Sequence, residues 1–373
     1  MMLETSQYYY PNEATTPIVW DPVVFAYTFL ISGADMIILA SLAYLTKRLT
    51  RAIPLLIVLG ISFFATVLFG PLADLRSPHK ATLIFSSPHL LPTAETPGIS
   101  LIAFQSILWI IGLILSVTFA LLYFSYNMYL KASEGGKLSK LCRILSLGIR
   151  DEASYNKLQP ILKGLAIIMI VPMTFWGIYP ASLMISQTWV FLWRNWTTLI
   201  FAYYADTFVV ATAISILVYF IMKAGRVDSE MVKPLLKVHA AGSISVVGIT
   251  ALQLAIWWFW FIDSPINQSI AIVIPFMYLA IVLLSASFLL SIISLRFPVV
   301  SVFVSLAAFS GTIINKWNMV VNGQLISATG LGVLELHLPS DWLMLTISPI
   351  SLGVFIFVVL SFIFQLEVTK LGK

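Results

Sequence analysis

Long apolar runs separated by short charged connections make up most of this sequence. Nine runs are long enough to cross a bilayer as α-helices, at roughly 22–46, 52–74, 98–130, 160–185, 197–222, 235–262, 267–295, 298–321 and 341–366. Each supplies the ~20 apolar residues that a helix rising ~1.5 Å per residue needs to span the hydrocarbon. The expected fold class is an all-α polytopic membrane protein with about nine transmembrane helices.

Composition points the same way. Of 373 residues, 60% are hydrophobic and only 10% charged, against roughly 25% charged in an ordinary soluble domain. No water-soluble core of this size absorbs that much apolar surface, whereas a lipid bilayer does. The opening segment, 1–21, contains Glu4 and Glu13 and no basic residue. It lacks the basic-then-apolar pattern of a cleavable signal peptide and reads as an extracytoplasmic N-terminal segment.

Charge sets the orientation. Alternate connections hold Lys47, Arg48 and Arg51, then Lys131 to Lys163, then Lys223 to Lys237, Arg296, Lys370 and Lys373. Together these are 17 of the 21 basic residues, and the other side keeps only Arg76, Lys80, Arg194 and Lys316. The positive-inside rule places the N-terminus outside and the C-terminus in the cytoplasm of a cell membrane. The net charge of +5 is thus a topological signal and calls for no nucleic-acid partner. Within the basic stretch 137–150, Leu138, Leu141, Ile144 and Leu145 recur at helical spacing beside Lys140 and Arg143, as in a helix lying flat at the interface.

The segments Trp20 to Tyr27 and Trp196 to Tyr203 share a Trp and Tyr seven apart and the tripeptide Phe-Ala-Tyr. Four spans separate them, so both enter the membrane from the same face. This echo suggests two similarly oriented four-helix bundles, 22–185 and 186–322, followed by an outer loop and a C-terminal helix over 323–373. Chance similarity plus the usual enrichment of interfacial aromatics explains it equally well.

Charges inside the bilayer are costly and usually have a purpose. Asp35 falls near the middle of the first span and Asp206 one turn from Tyr203 in the fifth. Both are candidates for a proton path; the alternative is a structural carboxylate bonded to a neighbouring hydroxyl or to Lys316. His79, His89 and His337 fall in outer loops and His239 at the cytoplasmic start of the sixth span, so no pair of histidines faces across a bundle to ligate haem. Cys142 is the single cysteine, which excludes an internal disulfide, a cysteine-type zinc site and an iron–sulfur cluster held by this chain. The outer connections collect polar groups, namely Asp74, Arg76, His79, Lys80, His89 and Glu95 in one and Asn322, Gln324, Glu335, His337 and Asp341 in another. A lipophilic molecule with a two-carbonyl headgroup, such as a quinone, suits that boundary; ordinary loop polarity accounts for it as readily.

Three motifs resemble a known family. Asp74-Leu-Arg-Ser-Pro-His-Lys80 is similar to the Asp-Leu-Gly-Arg-Pro signature of the NrfD/PsrC family of membrane quinone-reactive subunits. Tyr179-Pro-Ala-Ser-Leu-Met184 resembles that family's Tyr-Pro/Thr-Gly-x-Leu-Leu stretch. Asn315-Lys-Trp-Asn-Met-Val-Val-Asn-Gly-Gln324 followed by Leu338-Pro-Ser-Asp341 resembles the Asn-Arg-x-Asn … Pro-Ser-x-Glu pattern of the larger branch that includes HybB- and ActC-type subunits. This chain lacks the signature glycine before Arg76, has Lys316 where the family has arginine, and has Asp341 in place of glutamate.

The resemblance implies a haem-free subunit of two four-helix bundles that reacts with menaquinone or a similar quinone near the extracytoplasmic end of the first. It also implies a docked ferredoxin-like subunit with four iron–sulfur clusters and a catalytic molybdopterin or hydrogenase-type subunit on the outer face. By position, Tyr27, Tyr179, Asp74 and Arg76 would contact the quinone, with His89 and Glu95 nearby. The implied function is passage of electrons between quinone and the iron–sulfur partner of a respiratory oxidoreductase, in the manner of a sulfur or polysulfide reductase. A proton-coupled secondary transporter, suggested by the repeat with Asp35 and Asp206, and a passive membrane anchor are the alternatives.

Overall fold

In the computed structural model, which describes residues 23–69, 90, 100–225, 227–336, 338, 340–364 and 366, the apolar runs are α-helices. In chain order they are α1 (Val23–Leu30), α2 (Ser32–Thr46), α3 (Ile53–Thr66), α4 (Leu101–Ser133), α5 (Ser139–Leu145), α6 (Glu152–Asn156) and α7 (Gln159–Ser186). There follow α8 (Phe191–Asn195), α9 (Leu199–Met222), α10 (Ser229–Phe261), α11 (Ile266–Ile270), α12 (Ile274–Ser294), α13 (Ser301–Val320) and α14 (Trp342–Ile363). The described residues contain no strand, only an isolated bridge between Ile326 and Val333. In hydrocarbon a backbone amide finds no solvent partner, and the helix satisfies its own.

Seven stretches are long and apolar enough to cross a membrane: Leu101–Ser133, Glu152–Ser186, Leu199–Met222, Ser229–Phe261, Ile274–Ser294, Pro298–Leu325 and Trp342–Ile363. The chain is a multi-pass membrane protein. The run expected over 22–46 is divided between α1 and α2. Ile31 keeps helical angles, φ −62° and ψ −28°, but its carbonyl accepts from Ala34 N–H at 2.8 Å, a single tightened turn in the ladder. The run expected over 52–74 is α3, whose helix stops at Thr66.

The helices fall into two compact units. One comprises Leu30–Val67, 100–177 and 350–364; the other comprises 23–29, 68–69 and Ile178–Pro349. In the first unit α2 and α3 meet backbone to backbone. A Cβ on Gly33 would sit 2.6 Å from Phe64 N and 2.7 Å from Gly60 O, and one on Gly60 would sit 2.9 Å from Gly33 O. Only glycine permits this approach, which brings two otherwise apolar helices into extended van der Waals contact. Side-chain bonds then brace the neighbours. Trp109 Nε1 donates to Phe64 O at 2.8 Å, Tyr44 Oη to Gln159 Oε1 at 2.6 Å and Tyr155 Oη to Tyr123 O at 3.2 Å. Lys131 Nζ donates to the last carbonyls of α14, Phe362 O at 3.2 Å and Ile363 O at 3.1 Å, a cation at the negative end of a helix.

In the second unit α9, α10, α12 and α13 pack in a ring, α9 on α10 and α13, and α12 on α10 and α13. One end of the ring is closed by buried Trp193, Trp196 and Trp257. Trp196 and Trp257 stack edge to face at 5.1 Å, and Trp193 Nε1 donates to Met319 O at 2.7 Å. The Asn-rich motif after Lys316 belongs to this closure: Asn318 Nδ2 donates to Val273 O at 3.0 Å and Asn322 Nδ2 to Asn318 Oδ1 at 3.0 Å. Trp193 and Asn318 thereby take backbone carbonyls near helix ends.

Candidate functional site

The tryptophan-closed end of the second unit also holds its buried charges. Thr198, the residue before α9, is held by α10: Gln253 Oε1 accepts from Thr198 N and Oγ1, each at 3.0 Å. Trp257 Nε1 ties the preceding turn down by donating to Asn195 O at 3.1 Å. The first turns of α9 are thereby fixed, and Tyr203 and Asp206, three residues apart, share a face. α13 arrives at the same end with its last turns, so Asn315 and Lys316 come level with them.

Lys316 and Asp206 are both fully buried. Lys316 Nζ lies 3.7 Å from Asp206 Oδ2, and Asn315 Nδ2 donates to the same oxygen at 3.3 Å. Lys316 Nζ also donates to Tyr203 O at 3.0 Å and stands 3.0 Å from the centroid of the Tyr203 ring. The ammonium is therefore met by a carboxylate, a carbonyl dipole and an aromatic face, the three partners that make a buried cation tolerable. The other carboxylate oxygen, Asp206 Oδ1, has no hydrogen-bond partner among the described residues, and neither has Asn315 Oδ1.

Tyr203, on which Lys316 rests, is one of three buried tyrosines linked through Tyr27. Tyr27 on α1 is within electrostatic reach of Tyr179 on α7 and Tyr203 on α9. All three are buried, at 3%, 8% and 0% exposure respectively. Tyr27 and Tyr203 are the two tyrosines that end the repeated Phe-Ala-Tyr tripeptide. The site thus combines phenol hydroxyls, an ammonium and a carboxylate in an apolar surrounding. Such a set can donate hydrogen bonds to carbonyl oxygens and can take or give a proton.

A second buried polar group lies further along the same ring of helices. His239 on α10 is fully buried. Its Nδ1 is 2.7 Å from Thr212 Oγ1 of α9 and its Nε2 is 2.8 Å from Ser287 Oγ of α12, with Ser243 Oγ at 3.3 Å. Ser287 Oγ donates to Val304 O of α13 at 3.0 Å, so α9, α10 and α12 meet at one imidazole and α13 is joined to it through the serine. The apolar runs alone place His239 at the cytoplasmic start of the sixth span and give it no role. α10 begins earlier, at Ser229, capped by Asp228 Oδ1 accepting Glu230 N–H at 2.9 Å. The charged first turns therefore belong to the helix and carry His239 inward. The Asp-Ser-Glu cap is the sequence signal for this.

Among the other residues singled out from sequence, Asp35 is fully buried on α2 in the first unit. Asp74, Arg76, His89 and Glu95 lie outside the described residues, as do His79, His337 and Trp20. Tyr27, Tyr179 and Asp206 belong to the second unit, together with Tyr203, Asn315 and Lys316.

No family model matches the chain. It is 42% identical over 363 residues to a subunit of the tetrathionate reductase of Archaeoglobus fulgidus, an alignment covering 97% of this chain and 96% of that one. At that identity over nearly the whole length, and with the family's motifs in order, the chain belongs to the NrfD/PsrC-type family of membrane subunits.

Proposed function

We propose that this chain is the haem-free, quinone-reactive membrane subunit of a respiratory reductase complex, and that quinol is oxidised beside Tyr27. The observation that carries the reading is that Tyr27 lies within reach of Tyr179 and of Tyr203, the tyrosine on which Lys316 of the Lys316–Asp206 pair rests. A quinone headgroup needs hydrogen-bond donors at its two carbonyl oxygens and a proton acceptor as the quinol form gives up charge. The three phenols supply the donors, and the carboxylate of Asp206 accepts the proton, with Lys316 as its counter-charge. Asp74, Arg76, His89 and Glu95 complete the headgroup contacts from the connecting loop. The membrane arrangement goes with this: nine spans, with α1–α2 and α3 as the first two, in two four-helix bundles plus α14, the N-terminus outside and the C-terminus cytoplasmic. The motif 315–324 places the chain near the HybB/ActC-type branch.

The partners are an iron–sulfur subunit that takes the electrons and a catalytic molybdopterin subunit beyond it. By likeness to the Archaeoglobus fulgidus protein, we assign tetrathionate as the terminal acceptor. Its reduction to two thiosulfates consumes two electrons and no proton, so both quinol protons are released, either at the headgroup or through the polar groups of this chain. The polar group of Thr212, His239 and Ser287, which is further along the ring of helices that holds Asp206, provides one route, and Asp35 in the other unit a second carboxylate. The test is purification of the chain from its native membrane with its associated proteins. Co-purification of a multi-cluster iron–sulfur protein whose clusters are reduced by quinol supports the reading. A chain that purifies alone and transports a solute in proteoliposomes overturns it.

A further inference from the structure

The connection after α4 carries a feature that quinol oxidation does not use. On α5 the buried residue is Cys142, while Leu141 and Ile144, with Leu138 just before the helix, are exposed, Ile144 at 72%. Lys137, Lys140 and Arg143 are interleaved with them. A short helix with an outward aliphatic stripe and basic residues between lies at the headgroup level, its leucines among acyl chains. Just beyond it Leu147 and Gly148 both adopt left-handed angles, φ 52° and 78°. A leucine rarely does so, and here the turn is closed by Leu147 N–H to Ile144 O at 3.1 Å and Ile149 N–H to Ser146 O at 2.9 Å. The turn brings Arg150 to the same place as Arg143.

Both arginines line a cavity of about 500 Å³, with Tyr129 and Ser133 from the end of α4 and Ser146 from the turn. That volume falls within the roughly 300–1,000 Å³ of small-molecule sites. Neither arginine makes an ion pair among the described residues. The acid next in sequence is committed elsewhere: Asp151 Oδ1 accepts Ser154 N–H at 2.6 Å as the cap of α6. The hydroxyls of Ser133 and Ser146 donate to Tyr129 O and Arg143 O, leaving the guanidinium groups as the strong donors. A cavity with two guanidinium groups and no lining acid, set beside an acyl-facing stripe, is complementary to a bidentate oxyanion attached to a hydrophobic tail.

We propose that the cavity bounded by Arg143, Arg150 and Tyr129 binds the phosphate headgroup of an anionic membrane phospholipid, whose chains lie along Leu138, Leu141 and Ile144. The site stands independently of the quinone reading. It fastens α5 to the end of α4 through lipid, in a membrane whose composition then bears on the subunit's stability.

The experiment is native mass spectrometry of the delipidated intact complex, titrated with phosphatidylglycerol, phosphatidylcholine or inorganic phosphate. Phosphatidylglycerol is expected to bind at one site per chain, with at least about fivefold preference over phosphatidylcholine. The Arg143→Gln/Arg150→Gln variant should lose that preference, whereas Lys137→Gln/Lys140→Gln, at the start of the same connection but outside the cavity, should keep it. If the glutamine variant fails to assemble, Arg143→Lys/Arg150→Lys keeps the charge without the fork and should lose part of the preference. Equal preference in the arginine variants, equal loss in the lysine variant, or displacement of the lipid by millimolar inorganic phosphate would each overturn the proposal.

Discussion

Lys316 rests on the face of Tyr203, its Nζ 3.0 Å from the ring centroid and bonded at 3.0 Å to the carbonyl oxygen of the same residue. One residue of α9 thus offers a buried ammonium both its π-cloud and its backbone dipole, and Asp206, a turn further on, supplies the counter-charge at 3.7 Å. Two opposite charges at zero exposure are worth little as a net gain, because desolvation cancels most of their attraction. They are costly to separate, however, because whichever remains is a lone charge in an apolar interior.

Asp206→Asn and Lys316→Met should therefore each destabilise the purified protein by about 3–5 kcal/mol. The double variant should cost clearly less than the two added together. A thermal-unfolding double-mutant cycle measures the difference, and strict additivity would mean that the two groups do not act as a pair.

The imidazole of His239 joins α9, α10 and α12 through Thr212 and Ser287. If this is part of the route by which quinol protons leave, His239→Leu should lower the protons released per electron on the side away from the headgroup by about tenfold or more in proteoliposomes, the balance appearing on the headgroup side. Quinol oxidation itself should stay within about twofold. An unchanged proton count, read with a pH-sensitive dye, would assign the histidine to packing alone.

The contact of Gly33 with Gly60 makes a steric prediction. Gly33→Ala puts a methyl 2.6 Å from a backbone nitrogen, which should cost about 1–3 kcal/mol. Gly164, on α7, has open space around its missing Cβ, so Gly164→Ala should be neutral or stabilise by up to about 1 kcal/mol. Melting temperatures in one detergent separate the two, and similar values would contradict the close approach.

Asp151 makes a pH prediction outside the membrane. The Ser154 backbone N–H bonded to its carboxylate, followed by the Ser154 side chain, holds this acid below its ordinary value. A carboxyl that is more acidic folded than unfolded stabilises the fold above the unfolded value of about 3.9 and loses that contribution as pH falls through the folded one. Amide exchange at Ser154 should therefore accelerate on acidification below about pH 4, and Asp151→Ala should make it fast at every pH. Exchange independent of pH after correction for the intrinsic rate would contradict the cap.

Much of this is legible in the chain. Apolar runs of ~20 residues leave little choice but helices, and a carboxylate at position 206 amid such a run marks a buried polar site whatever surrounds it. What the chain does not display is which residues meet. Tyr27, Tyr179 and Tyr203 are far apart in sequence and become neighbours only through packing, although the shared Phe-Ala-Tyr tripeptide hints at equivalent places for two of them. Lys316 has the sequence context of a span end and is an interior residue of α13. His239 falls too near the surface when its helix is started at the first apolar residue and not at the Asp228 cap. Asn318 and Asn322, part of a family-like motif, brace the helix ends.

The central claim is that quinol reacts beside Tyr27, and the most direct measurement is the quinol-dependent rate of the intact complex with Tyr27→Phe. Removing one phenol donor should lower that rate by roughly 5- to 100-fold, the equivalent of about 1–3 kcal/mol. Activity driven by reduced methyl viologen, which feeds electrons to the partner subunits directly, should stay unchanged. A Tyr27→Phe complex that oxidises quinol at the wild-type rate would contradict the account.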